Sequence, residues 1–83
     1  MSFDIVLSAE SEEFIRKCDK AVRNRIFKSF LNLENEPENG KPLTLILKGL
    51  LSLRIGDYSV IYQIKNYELI ILLVKIGHRK SVY

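Results

Sequence analysis

A single cysteine, Cys18, stands among the 83 residues, so neither a disulfide framework nor a cysteine-based zinc cluster is open to this chain. That usage fits a reducing compartment. There is one histidine, His78, and no acidic cluster in the basic half of the chain, which leaves no credible metal site. Glycines number four and are scattered, so no Gly-rich phosphate loop can form. No serine is framed by a nucleophile elbow, and a Ser/His/acid triad lacks its sequence signature. Long apolar runs are missing too. The longest, "LIILLV" at residues 69–74, falls far short of the roughly 18 residues of a membrane span. Met1-Ser2-Phe3-Asp4 is not the start of a secretory signal. The expectation is a soluble cytoplasmic protein with no metal, no other cofactor and no membrane partner.

What the chain does have is a hydrophobic fraction of 47% beside 28% charged residues, the balance of a globular protein and not of a disordered tail. Its length suits one domain, residues 1–83, near the lower limit for a self-sufficient core. Small domains of this kind gain stability from a bound partner. The net charge of +3 is unevenly spread: residues 1–40 sum to −2 and residues 41–83 to +5. Such a split points to a polyanion-facing surface in the second half, although a solvated Lys-rich surface gives the same arithmetic.

"SFDIVLS" alternates apolar Phe3, Ile5 and Leu7 with Asp4 and Val6 and reads as a first strand. Ser8 can cap a helix whose first turn holds Glu10, Glu12 and Glu13, where the macrodipole favours acids. Phe14, Cys18, Val22, Ile26, Phe30 and Leu33 continue at helical spacing. One long helix would satisfy that stripe. A break near residues 17–19 is the preferred reading, because Asp19 can cap a second helix and a helical hairpin is more compact. "NEPENGKPL" then ends the helical half. Three strands are expected at about residues 45–55, 58–65 and 68–76, joined by Gly56-Asp57 and by a tight link at Asn66. The unbroken apolar run in the last marks a central strand covered on both faces. The fold class expected is α+β: a small, mostly antiparallel sheet in the order β-α-α-β-β-β with an N-terminal helical hairpin packed on one face.

Strand alternation separates two faces. Tyr58, Val60, Tyr62 and Ile64 share the side facing the helices; Ser59, Ile61 and Gln63 share the other, which is expected to be open, with Arg54 and Ser52 on it. The tail "VKIGHRKSVY" supplies the strongest chemical signal. Gly77 lets the chain turn, and His78, Arg79 and Lys80 follow, with Tyr83 four residues beyond Arg79. An Arg fork makes two charge-assisted hydrogen bonds to phosphate. A Tyr can stack on a base or take part in proton transfer, and a His titrates near neutral pH. Taken singly, each has a plainer reading: a solvated end, a packing tyrosine, a surface histidine. Arg54, Lys48, Lys75, His78 and Lys80 are the candidate phosphate contacts of the basic half.

The block "GLLSLRIGDYSVIYQI", preceded by "NGKPL" and followed by "LIILLVKIGHRKSVY", resembles the RelE branch of the RelE/ParE toxin superfamily over essentially the whole chain. "LRIGDY" with "VIYQI", and "KIGHR" with "VY", are specific in combination. The resemblance implies a RelE-like fold of the microbial ribonuclease type and a cytoplasmic toxin neutralised by a RelB-like protein antitoxin. It also implies cleavage of mRNA in the ribosomal A site by metal-independent attack of a ribose 2′-OH, with operator DNA met only through the toxin–antitoxin complex. Carried over, Arg79 stabilises the phosphate and assists the leaving group, Tyr83 acts as a base or orients the substrate, and Arg54 supports RNA binding. Two departures stand out. Ser59 occupies a position that is usually Arg in the family, and Leu50 and Ser52 stand where some members place lysines. One missing donor to a developing oxyanion costs about 10²–10³ in rate, so the resemblance implies a weak toxin, or one disarmed at residue 59. Two other readings stay open: a ParE-like inhibitor of gyrase, and an inactive module that keeps only antitoxin binding and operator control.

Overall fold

The computed structural model describes residues 3–42 and 49–78. Ser8 caps the first helix as expected, accepting the Ser11 amide at 3.1 Å. Glu10 and Glu12 lie in its first turn and Arg16 and Lys17 in its last, matching the macrodipole at both ends. The helix, α1 (Ala9–Lys17), stops at Cys18, and Asp19 starts the next by accepting the Val22 amide at 2.9 Å. The stripe is therefore broken where Asp19 allows it, into α1 and α2 (Lys20–Asn35).

The strands are β1 (Asp4–Leu7), β2 (Lys41–Pro42), β3 (Leu51–Ile55), β4 (Tyr58–Lys65) and β5 (Ile70–His78), with a single 3₁₀ turn at Pro37–Asn39 before β2. They form one five-stranded sheet in the order β1-β5-β4-β3-β2. β1 lies parallel to β5 and every other pair is antiparallel. The two-residue β2 was not foreseen: a strand that short, between Gly40 and residues outside the described set, leaves no periodicity to read. β3 begins at Leu51, and the expected start of that strand, residues 45–48, lies outside the described residues. β4 matches its expected bounds.

Gly56-Asp57 closes a two-residue hairpin in which Ile55 pairs with Tyr58. Gly56 has φ of 60°, the positive first position of a type II′ turn. The β4–β5 link is longer than the tight turn expected. It takes residues 66–69, with Leu69 held at φ 54°, so β5 starts at Ile70.

The core lies between the hairpin and one sheet face. Ile15, Ile26, Phe30 and Leu33 meet Ile55, Val60, Tyr62, Ile71, Leu73 and Ile76, all buried. Each such side chain contributes about 1.5–3 kcal/mol relative to exposure. Tyr62 brings a hydroxyl into this cluster. Its hydroxyl donates to the Pro37 carbonyl at 2.7 Å and accepts the Gly40 amide at 2.9 Å, tying residues 37–40 to the centre of the sheet. Burial pushes the Tyr62 phenol above its ordinary range, against the opposing effect of the Gly40 amide.

Candidate phosphate-binding face

Register decides which side chains share the face turned away from the helices. Arg54 pairs with Ser59 and Ser59 with Gly77, giving one row across β3, β4 and β5. Lys41 pairs with Ser52, Ser52 with Ile61 and Ile61 with Lys75, giving a second row across four strands. Directly paired residues project to the same side. The two rows therefore gather Lys41, Arg54 and Lys75 and contain no acid. With strands about 4.8 Å apart, the outer cations Lys41 and Lys75 lie roughly 14 Å apart across the row. That span matches a few nucleotides of backbone, and Arg54 and Lys41 are both exposed. Ser52 is half-buried.

Two expectations for this face need correction. Ser59 was expected on an open surface and is only 3% exposed; Ile61, expected there too, is 2% exposed. Both sit in β4, the central strand, flanked on each side by hydrogen-bonded neighbours. The long stems of Arg54 opposite Ser59 and of Lys75 opposite Ile61 can cover a short or branched side chain while keeping their charges in water. The cations, not Ser59 or Ile61, form the accessible surface.

Gly77 is the third correction. The chain does not turn there: β5 runs through it to His78, and Gly77 is paired with Ser59. His78 consequently falls on the opposite side from Arg54 and Lys75. Its ring stands 4.7 Å from that of Tyr58, which meets Phe14 edge-on at 5.9 Å. The structure thus brings Arg54, Ser59 and Lys75 together and places His78 across the sheet from them. Lys48, Arg79, Lys80 and Tyr83 lie outside the described residues. Lys41 was missed as a site residue. Its only sequence signal is its place after Gly40, and the pairing with Ser52 is what brings it to this face.

The groove beside the 3₁₀ turn suits a polyanion less well. It measures about 510 Å³ and is lined by Phe3, Glu36, Pro37, Glu38, Asn39 and Asn66, with two carboxylates and no cation. Among the described residues, no three His, Cys, Asp or Glu side chains gather as a metal site. No helix among them is long and apolar enough to cross a membrane.

The fold, a helical hairpin on one side of a mixed sheet, is shared with solved toxin structures. A chain of the RelBE2 toxin–antitoxin complex of Mycobacterium tuberculosis superposes with a TM-score of 0.85 at 23% identity, covering 95% of this chain and 100% of that one. A chain of the RelE–RelB complex of Pyrococcus horikoshii OT3 does so with a TM-score of 0.79 at 25% identity, covering 99% and 100%. The isolated RelE toxin of E. coli gives 0.79 at 15% identity, over 93% of this chain and 84% of that one. In sequence, Toxin RelG of Mycobacterium tuberculosis is 34% identical over 56 residues, which span 66% of this chain and 64% of that relative's length. The family described as the ParE toxin of the parDE type II toxin–antitoxin system matches residues 5–83. The chain belongs to that family of type II toxins, within the RelE/ParE superfamily.

Proposed function

We propose that this toxin is a ribosome-dependent endoribonuclease that cuts mRNA in the A site, acts without a metal, and is attenuated by Ser59. The observation that carries this reading is the pair of acid-free rows in which Arg54 lies opposite residue 59 and Lys41 and Lys75 stand in the next row. In the reaction, a ribose 2′-oxygen bonds to the adjacent phosphorus and the bond from phosphorus to the 5′-oxygen breaks. A 2′,3′-cyclic phosphate and a 5′-hydroxyl result. Negative charge gathers on the phosphoryl oxygens in the transition state, and fixed cations stabilise it. Arg54 and Lys75 supply charge along the RNA backbone. Arg79 takes the phosphate and the leaving group, and Tyr83 the proton or the orientation of the attacking hydroxyl, as the family motif assigns them. Residue 59 is a short, buried serine with no charge to reach the substrate, which is the reason to expect a slow enzyme. An antitoxin of RelB type, with an acidic amphipathic segment, fits as the neutralising partner of such a face. Operator DNA is then met through that complex, and the site of action is the cytoplasm.

Primer extension on a translated mRNA with purified ribosomes tests the reading, comparing the protein as it stands with Ser59→Arg. Gly77 has no side chain opposite residue 59, so an arginine introduced there can lie across it. Cleavage in the A site that rises about 10²-fold or more in Ser59→Arg, and falls when Arg54 is also changed to Ala, supports the proposal. Equal cleavage by both proteins refutes attenuation by Ser59, and no cleavage by either refutes the nuclease reading. The match to the ParE family favours inhibition of gyrase as the second reading. Accumulation of cleaved DNA–gyrase complexes on expression would establish it.

A further inference from the structure

α2 carries a second stripe that the core does not use. Ile26, Phe30 and Leu33 are buried against the sheet. Lys20, Asn24, Phe27, Leu31 and Glu34 recur at alternating steps of four and three residues, the spacing of a helix–helix seam. Phe27 is 45% exposed and Leu31 60% exposed, one turn apart. Phe27 is fixed in place by an edge-on contact with Phe30 at 6.0 Å. The seam is therefore apolar at its centre, basic at its start and acidic at its end.

That order of charge runs against the helix dipole. α2 has no acid in its first turn and no base in its last, whereas α1 has both. Lys20 and Arg23 stand at the positive end; Glu34 is in the final turn at the negative end, followed by Glu36 and Glu38. Lys20, Glu34 and Glu36 form no ion pair with another described residue. Asp19 caps the start of α2, but the exposed apolar centre still lies between a basic first turn and an acidic end, so the helix is complementary to itself when turned end for end.

We propose that this stripe is a contact surface for a second copy of the chain, packed antiparallel about a two-fold axis between Phe27 and Leu31. In that arrangement Phe27 of each copy meets Leu31 of the other. The exposed Lys20 at the start of each helix lies beside the acidic end, residues 34–38, of its mate. The contact is isologous and closes at two copies. The acidic end, which has no base in its own last turn, then gains Lys20 of the mate. The face carrying Arg54 and Lys75 lies on the other side of the sheet from the hairpin, so pairing leaves it uncovered.

Sedimentation velocity of the full chain, free of antitoxin, tests this between about 10 µM and about 1 mM, where small two-helix interfaces exchange between monomer and dimer. A monomer–dimer equilibrium is expected, weakened at least about tenfold by Leu31→Asp, with Phe27→Ala as the second variant. Circular dichroism melts identify variants that keep the fold. Lys20→Glu should weaken the dimer. Adding Glu34→Lys and Glu36→Lys to it should restore the dimer, because complementarity is re-created with both signs exchanged. A chain that stays monomeric throughout overturns the proposal, as does a dimer indifferent to Leu31→Asp and Phe27→Ala. A monomer that instead binds an acidic amphipathic peptide through Leu31 overturns it in favour of another protein partner.

Discussion

Replacing Tyr62 by Phe removes one oxygen from the interior and leaves the packing otherwise unchanged. That oxygen accepts the Gly40 amide at 2.9 Å and donates to the Pro37 carbonyl at 2.7 Å. A buried backbone group deprived of its partner costs about 1–3 kcal/mol. Residues 37–40 are half-buried to exposed, so water can replace part of what is lost. The expected penalty is therefore about 1–3 kcal/mol in total, which for a domain of this size lowers Tm by about 4–8 °C for each kcal/mol. Urea titration should move the midpoint and leave the slope alone, because the surface exposed on unfolding is unchanged. The pH dependence supplies a second check. Burial raises the Tyr62 phenol, so the folded chain holds this proton more tightly than the unfolded chain. The stability this contributes is complete below the unfolded value near pH 10 and is lost as pH climbs through the higher folded value. The advantage of the natural protein over Tyr62→Phe should thus shrink above about pH 10. A loss below about 0.5 kcal/mol at neutral pH, or a difference that widens in alkali, would refute the reasoning. Gly40→Ala probes the same joint from the other side. A Cβ there would stand 2.5 Å from the Tyr62 hydroxyl and 2.8 Å from the Ser52 carbonyl. Adding Tyr62→Phe should recover only part of the loss, since the backbone clash remains.

The hairpin and the β4–β5 turn give two further expectations. Asp19→Ala removes the side chain that accepts the Val22 amide and should cost about 0.5–2 kcal/mol by urea titration; Asp19→Asn should recover most of it. Leu69→Gly relieves a left-handed residue at φ 54° whose strain costs about 1–3 kcal/mol, offset in part by the unfolded-state entropy of glycine. A net gain of about 0.5–1 kcal/mol is expected, and a loss in chemical denaturation would show that Leu69 is held there by packing.

Much of this fold is written in local signals. Ser8 and Asp19 announce the two helices because a side-chain oxygen at that place can accept one of the backbone N–H groups a helix start leaves unpaired. Gly56-Asp57 announces the hairpin because only glycine takes its positive φ without strain. The face shared by Arg54 and Ser59 also follows from alternation. Burial on that face does not, since it depends on the length of the neighbours across the strand pair, which alternation leaves out. Lys41 depends on a pairing of two residues with β3, a long-range fact with no periodic trace.

The least legible feature is the one that decides where Lys75 points. In β5, strict alternation would put Ile71, Leu73 and Lys75 on one face, carrying a lysine into the core and sending Ile76 out of it. The observed register avoids this: Ile61 pairs with Lys75 and Tyr62 with Leu73, so Val74 is an extra residue and the strand changes parity there. Ile71, Leu73 and Ile76 are all buried as a result, and Lys75 and Gly77 turn to the cationic face. The bulge is held from the helical side. The Ser8 hydroxyl donates to the Val74 carbonyl at 3.0 Å, and the buried Ser11 hydroxyl donates to the Leu73 carbonyl at 3.4 Å. Thus the cap of α1 and the kink of β5 form one structural unit, and the place of Lys75 in the row next to residue 59 depends on both. An unbroken apolar run conceals such a bulge, because every register of "IILLV" buries something hydrophobic; only the lysine that follows shows which one the chain can adopt.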